Sequence, residues 1–165
     1  MVHRLARPFL AATVLVALVS GNVLAGGKPT TVPLGFPPEG IELPAGAFCD
    51  FGLFVTAVKN TEMITTFPLE DDGSQRAHIF GQLWIRVSNV NTDASVILKI
   101  SGPSLVLFHP DGSTSATFLG RSLPVQPGQF LVTSGRIVQI TNTDGSTVLG
   151  PTPAHTIDVC AVLAP

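Results

Sequence analysis

The sequence predicts an all-β domain on three observations. Short runs rich in Val, Ile, Thr and Phe alternate with clusters of Gly, Pro, Asn and Asp at intervals of about ten residues. Within the runs apolar side chains alternate with polar ones, as Leu83, Ile85 and Val87 do with the residues between them. Beyond the N-terminal segment, no stretch keeps the apolar spacing of an amphipathic helix. We therefore expect strands joined by turns, and no helix longer than about two turns.

The N-terminal segment predicts export. Two arginines precede an uncharged apolar run, Phe9–Val19, and Val23-Leu24-Ala25 supplies the small-residue exit that a signal peptidase cleaves. The run is shorter than the roughly 20 residues that span a bilayer. A buried core helix is the alternative, but nothing downstream is helical enough to pack on it. We expect a signal peptide over residues 1–25 and a mature N-terminus at Gly26.

The composition of the mature chain predicts a released, weakly acidic protein. Without the two arginines of the signal peptide, nine basic residues become seven, against eleven acidic ones, for a net charge of −4. The basic residues are not clustered along the sequence, which argues against nucleic acid or an anionic membrane as partner. No second apolar run approaches spanning length. We expect a secreted, extracellular protein without a cofactor.

Two cysteines, Cys49 and Cys160, remain after cleavage. Thiols exported to an oxidising compartment are usually paired, so we predict a Cys49–Cys160 disulfide. A bond that closes so long a loop stabilises by about 4–5 kcal/mol in the chain-entropy model. A metal thiolate pair and a catalytic thiol are the alternatives, but no CxxC is present.

Proline and glycine dominate residues 26–46. Proline fixes φ and removes a hydrogen-bond donor, so we expect neither helix nor central strand there, but an extended leader that acts as a tether or mobile arm. A single all-β domain then covers residues 47–165. Its predicted strands are Asp50–Val58, Met63–Phe67, Ala77–Val90, Ser95–Ser101, Leu105–His109, Ser113–Leu119, Gln129–Ser134, Arg136–Thr141 and Ile157–Leu163. The longest of them should bend at Gly81, because glycine within a strand often marks a bulge or corner.

The tripeptide Asp-Gly-Ser occurs three times between predicted strands, starting at Asp72, Asp111 and Asp144. Asp-Gly suits tight turns, because glycine accepts positive φ and the aspartate side chain bonds the local backbone. Calcium binding is the alternative interpretation. A calcium loop needs several oxygen ligands in register, however, and none of the three turns supplies a second and third acid at that spacing.

Short connections favour an antiparallel meander of eight to ten strands. Because Cys49 opens the first predicted strand and Cys160 lies in the last, their pairing favours closure as a flattened β-barrel. A two-sheet β-sandwich also brings the chain ends together and stays open as the alternative.

Catalytic signatures are sparse. His78, His109 and His155 lie apart in the sequence, with no His-x-His or His-Glu-x-x-His pair, so we predict no metal site. Asp50 and Asp158 flank the two cysteines and can form a carboxylate pair across adjoining strands, although a polar cover on a barrel end is the simpler role. No Gly-x-Ser-x-Gly elbow is present to mark a hydrolase nucleophile.

The aromatic composition points away from carbohydrate. The chain has one tryptophan, no tyrosine and ten phenylalanines, whereas glycosidase sites usually need paired carboxylates beside aromatic platforms. Trp84 shares a strand face with Arg86 and Ser88, so it is a candidate outward contact, with partial burial under a loop as the alternative.

The turns Gly120-Arg121-Ser122, Pro127-Gly128-Gln129 and Thr133-Ser134-Gly135-Arg136, and the terminal run Ile157–Leu163, resemble small secreted proteins of high-GC actinobacteria that have no assigned function. With the early Cys49, the resemblance covers the C-terminal two thirds of the chain. It implies export and a bacterial origin, and it transfers no catalytic or binding residue.

We therefore expect a secreted, non-catalytic β-domain that binds a partner or a small apolar ligand, since a barrel interior can hold such a ligand. Two alternatives stay open. One is a barrel enzyme with a dispersed site drawn from His78, His109, Asp50, Asp158 or Arg121; the other is a purely structural surface protein.

Overall fold

The computed structural model describes residues 27–124, 128–150 and 155–165; the predicted signal peptide lies outside them. The described chain forms twelve strands and one short helix. In order they are β1 (Thr30–Pro33), β2 (Ile41–Leu43), β3 (Leu53–Asn60), β4 (Met63–Leu69), β5 (Gln75–Phe80), β6 (Leu83–Asn89), β7 (Ser95–Ile100), β8 (Ser104–Phe108), β9 (Thr114–Ser122), β10 (Leu131–Thr141), β11 (Thr147–Gly150), β12 (His155–Asp158) and α1 (Val159–Leu163). The predicted all-β class is confirmed.

The strands form two antiparallel sheets. Sheet A has the order β1-β4-β5-β8-β9-β10-β11, with β12 also paired to β10, and sheet B has the order β2-β3-β6-β7. Every pairing between described strands is antiparallel. No closed barrel is found in the described part of the chain, and the two-sheet alternative fits these sheets.

The two sheets are halves of one meander that is folded across its middle. Ile79 of β5 lies opposite Ser104 of β8, and Leu83 of β6 lies opposite Ile100 of β7. Four residues separate Ile79 from Leu83, and four separate Ile100 from Ser104. The register between the two chain segments therefore continues through the bend. The strict meander is therefore corrected in one respect: its long strands change sheet at a common corner, as strands do in orthogonally packed β-structures.

Glycines allow the chain to turn at this corner. Gly81 separates β5 from β6 with φ +122°, and a Cβ at this position would collide with the carbonyl oxygen of Thr61. The predicted strand Ala77–Val90 is thus two strands, with the bend where the sequence indicated it. Gly102, between β7 and β8, lies as closely against the carbonyl of Leu119.

The proline-rich leader differs from the prediction. Its residues do not form a tether: β1 pairs with β4 at the edge of sheet A, and β2 pairs with β3 at the edge of sheet B. Both strands are at sheet edges, where the prolines that flank them remove no central hydrogen bond. The leader is therefore the first run of the folded meander.

The C-terminal prediction also needs correction. The predicted strand Ile157–Leu163 ends at Asp158, whose side chain accepts a hydrogen bond from the backbone N–H of Ala161 and caps α1. Val159 and Leu163, four residues apart, lie on one side of that helix and are buried.

The strand count also exceeds the predicted eight to ten. The leader adds two strands, the corner divides others, and β11 was not predicted. Two predicted strands, Gln129–Ser134 and Arg136–Thr141, instead form the single strand β10. Gly135, at φ +117°, lies opposite Gly120 and continues the hydrogen-bonded ladder between them.

The hydrophobic core lies against the inner face of sheet B. It is formed by Cys49, Leu53, Val55, Ile85, Val87, Leu98, Phe130, Val132, Val159 and Leu163. The Cys49–Cys160 disulfide joins the start of the sheet B region to α1, with the two Cα atoms 5.4 Å apart, which confirms the predicted pairing. The amide of buried Asn89 donates to the carbonyl of Leu163 at 2.9 Å and fixes the end of the helix to β6. None of the described helices has the length and apolar character to cross a membrane.

Candidate functional site

Of the residues of the predicted enzyme site, His78 and Arg121 lie on different strands of sheet A. The ring of His78, in β5, packs on Phe67 with 4.8 Å between centroids. His155 is exposed at the start of β12, and Arg121 is exposed on β9, on opposite sides of Ser134. His155 and Arg121 are thus neighbours of Ser134 across the sheet, whereas His78 lies on another pair of strands, and no hydrogen bond joins these side chains in the described part of the chain.

His109 has a nucleophile-like neighbour but no catalytic setting. Its Nε2 lies 2.8 Å from the Ser115 hydroxyl. A triad also needs a carboxylate that orients the imidazole and donors for an oxyanion. Asp111 is close in sequence, but its Oδ1 accepts from the backbone N–H and the hydroxyl of Ser113. Among the described residues no carboxylate is hydrogen-bonded to His109, and the pair lies at the base of a turn.

Asp50 and Asp158 do come together, as the sequence suggested. They line a depression of about 370 Å³ beside the disulfide. The other lining residues are Phe48, Cys49, Gly128, Gln129, Leu131 and Cys160. Both carboxylates are exposed, and one oxygen of Asp158 caps α1. Among the described residues of this lining there is no histidine, serine or arginine, and the arrangement fits a polar cover over the disulfide.

The three Asp-Gly-Ser units act as turns. Asp72, Asp111 and Asp144 each accept the backbone N–H of the serine two residues later at 2.8 Å. These bonds to the serine side chain and backbone lower the pKa of each aspartate. Within the described ranges no three His, Cys, Asp or Glu side chains are placed to hold a metal ion.

The outer face of sheet B carries the most distinctive chemistry. Trp84 points away from the core, between inward residues of β6, and it lies opposite Lys59 of β3 and Lys99 of β7. The two ammonium groups are 5.9 Å and 5.8 Å from the centre of the indole ring, which is cation–π range. Arg86 follows two residues along the same face, opposite Ile97. We call Lys59, Trp84, Arg86, Ile97 and Lys99 the Trp84 face.

No described acidic side chain forms an ion pair with a cation of the Trp84 face. The ion pair recorded among the described residues joins Arg76 to Glu70, elsewhere in the molecule. The ammonium of Lys59 donates instead to the side-chain oxygen of Gln82 at 2.9 Å. Three of the seven basic residues that follow the predicted signal peptide thus lie on one sheet face, in a chain whose acids outnumber its bases.

The indole ring of Trp84 is held in place, but its N–H donor has no hydrogen-bond partner among the described residues. Trp84 is half-buried between the two lysine side chains, and its Nε1 is buried without a hydrogen-bond partner. A buried donor without a partner carries a desolvation cost of about 1–3 kcal/mol. Because this donor is buried, a partner that contacts the face would meet the exposed part of the ring and not Nε1.

Sequence reasoning found Trp84 and Arg86 but missed the lysines. The predicted strand stopped at Val58, and a β-bulge between Ala57 and Lys59 shifts the register so that Lys59 lies opposite Trp84. Lys99 was visible as a polar residue within a period-two run, but its neighbour across the sheet was not.

The chain matches no protein-family model, no curated protein and no solved structure. Its function is therefore argued from its own geometry.

Proposed function

We propose that the chain is an exported, non-catalytic β-domain that binds a partner protein through the Trp84 face. The observation that carries the proposal is the position of Trp84 between two lysines without acidic partners, with Arg86 beside them. The partner surface that fits this face is acidic.

The residue types of the Trp84 face favour a protein over other partners. Tryptophan and arginine are enriched in the energetically dominant centre of protein interfaces, and Ile97, about half exposed, adds apolar area beside them. A sugar would have to stack on the indole, where the two ammonium groups already lie. Nucleic acid calls for a larger field of cations than three side chains provide.

The interior supports partner binding over the carriage of an apolar ligand. Leu53, Ile85 and Val87 are at most 2% exposed and fill the space between sheet B and α1. The depression beside the disulfide is open to solvent and lined partly by carboxylates. We also propose that the two sheets form a flattened barrel. The disulfide that links the start of the sheet B region to α1 supports this.

Export is supported by the apolar N-terminal run and by the disulfide, which persists in oxidising compartments. Cleavage after Ala25 and an actinobacterial origin stay predictions. Intact mass of material collected from culture medium tests the cleavage site: a mature chain beginning at Gly26 supports it, and an uncut chain contradicts it.

The single tryptophan makes the proposed contact directly measurable. We expect poly-glutamate to shift or quench the fluorescence of Trp84, and we expect added salt to reverse the effect because the contact is ionic. Poly-lysine is the matched control probe and should have no effect.

Paired variants test whether the lysines are responsible. Lys59→Gln together with Lys99→Gln should weaken poly-glutamate binding at least tenfold, about 1.4 kcal/mol. Arg121→Gln together with Arg136→Gln removes the same charge from the other sheet and should leave binding unchanged. Equal losses in both pairs would mean that net charge, and not the Trp84 face, governs binding.

A further inference from the structure

We infer that the acidic surface bound by the Trp84 face is the row of Asp-Gly-Ser turns on a second copy of this chain. This inference rests on the proposed function and names its partner. The chain carries both halves of the contact, on different sheets.

The three turns lie side by side at one end of the molecule. They close the hairpins β4–β5, β8–β9 and β10–β11, which all turn at the end of sheet A remote from the corner. A Cβ on Gly73 would lie 3.5 Å from Pro110, and one on Gly112 would lie 3.9 Å from Thr143, so each turn adjoins the next. We call residues 70–74, 109–113 and 142–146 the hairpin end.

The hairpin end concentrates negative charge. Five of the eleven acidic residues of the chain lie there: Glu70, Asp71, Asp72, Asp111 and Asp144. Arg76 pairs with Glu70, His109 interacts electrostatically with Asp72 and Asp111, and no other ion pair to this group is recorded in the described part of the chain. Because the serine bonds favour the charged form of three aspartates, these carboxylates are ionised at neutral pH.

The spacing of the aspartates at the hairpin end matches the spacing of the two lysines on the Trp84 face. Each hairpin is two strands wide, and strands lie about 4.8 Å apart, so successive aspartates repeat at roughly 10 Å. Lys59 and Lys99 lie on β3 and β7, on either side of β6, and are also two strands or roughly 10 Å apart. Two neighbouring aspartates of one copy can therefore meet the two lysines of another.

The centre of the contact is also matched. Exposed Pro110 lies against Gly73, between the first two turns, as Trp84 lies between the two lysines. Because the two surfaces differ, a copy that offers its hairpin end to one neighbour keeps its Trp84 face for another. Such a heterologous contact builds closed rings or open chains.

Charge reversal on each side tests the inference. We expect the wild-type protein to self-associate at low ionic strength in sedimentation velocity and to return to monomer in high salt. Lys59→Glu with Lys99→Glu, and separately Asp72→Lys with Asp111→Lys, should each weaken association at least tenfold. A mixture of the two variants should associate again, because the unaltered Trp84 face of one variant meets the unaltered hairpin end of the other, and the two reversed surfaces also attract each other.

Two controls separate this result from trivial causes. Asp72→Asn with Asp111→Asn keeps an oxygen that accepts from the serine backbone, so lost association in this pair is a charge effect and not a damaged turn. Far-UV circular dichroism checks that each variant is folded.

Failure of the inference and failure of the proposed function give different results. A wild-type protein that stays monomeric at low salt, yet binds poly-glutamate through Lys59 and Lys99, overturns self-association and leaves the binding function intact. Absence of both overturns both. Association that survives every charge reversal also overturns the inference, because it must then use another surface.

Discussion

The two halves of the folded meander are built from the same strands but differ in what covers them. On the sheet B side Leu53 and Val87 are almost fully buried, beneath α1 and beside the disulfide. On sheet A, Phe80, Leu105 and Ile140 are 43–44% exposed, while Ala77 and Ile137 are buried. Alternating β-rich sequence is common to both halves. Burial is therefore decided by the layer that packs on a strand, and not by the strand itself.

The difference assigns separate roles to the two halves. The sheet B half has the packed core, the helix and the cross-link, so it supplies most of the stability and presents a rigid outer face around Trp84. The remote half of sheet A ends in polar turns that present charge. Regions with few buried apolar contacts open locally at lower free energy than the core.

Removal of the disulfide should have the largest effect. Cys49→Ser with Cys160→Ser frees the ends of a long loop beside the core, and we expect a loss of about 2–5 kcal/mol in the free energy of unfolding. Urea denaturation monitored by circular dichroism measures it. A loss below about 1 kcal/mol would show that the packing of α1 alone holds this half together.

Truncation of one apolar side chain in each half tests the contrast directly. Leu53→Ala leaves a cavity in the core and should cost about 2–5 kcal/mol. Ile140→Ala, on the exposed side of sheet A, should cost less than about 1 kcal/mol. Similar losses for the two variants would mean that the remote half is as firmly packed as the sheet B half.

The corner between the halves should be less sensitive than the core but more sensitive than the surface. Gly81→Ala places a Cβ against the Thr61 carbonyl at positive φ and should destabilise by about 1–3 kcal/mol. Gly35→Ala is the matched control, since no atom lies within 4 Å of its added Cβ and its φ is not positive. Equal thermal unfolding midpoints for the two variants would contradict a steric role for Gly81.

The smallest effect concerns the turns of the remote half. The Ser113 side-chain bond is the largest cause that lowers the pKa of Asp111, so Ser113→Ala should raise that pKa toward the ordinary aspartate value. Because the folded-state pKa is depressed, its stabilising contribution is present above the unfolded-state pKa and is lost as pH falls through the folded value. Carboxyl-detected NMR titration measures the pKa, with Ser95→Ala as control; an unchanged Asp111 would contradict the role of the hydroxyl.

The sequence by itself determined the local features of this protein. Val- and Ile-rich alternation gave the all-β class, the Asp-Gly-Ser units gave the hairpin turns, and Gly81 marked the bend, because each depends on residues that are neighbours in the chain. The pairing of Cys49 with Cys160 followed from their number and from the predicted export. Trp84 was also assigned to an outward face from period-two alternation.

Tertiary structure alone decided which distant residues became neighbours. The leader joined both sheets because unpaired strand edges were available to it, and Val159–Leu163 became helical because two residues could be buried beside the core. Lys59 met Trp84 through a bulge that no local pattern announced. Such contacts depend on register and burial across the whole sheet, where a shift of one residue moves every side chain to the opposite face.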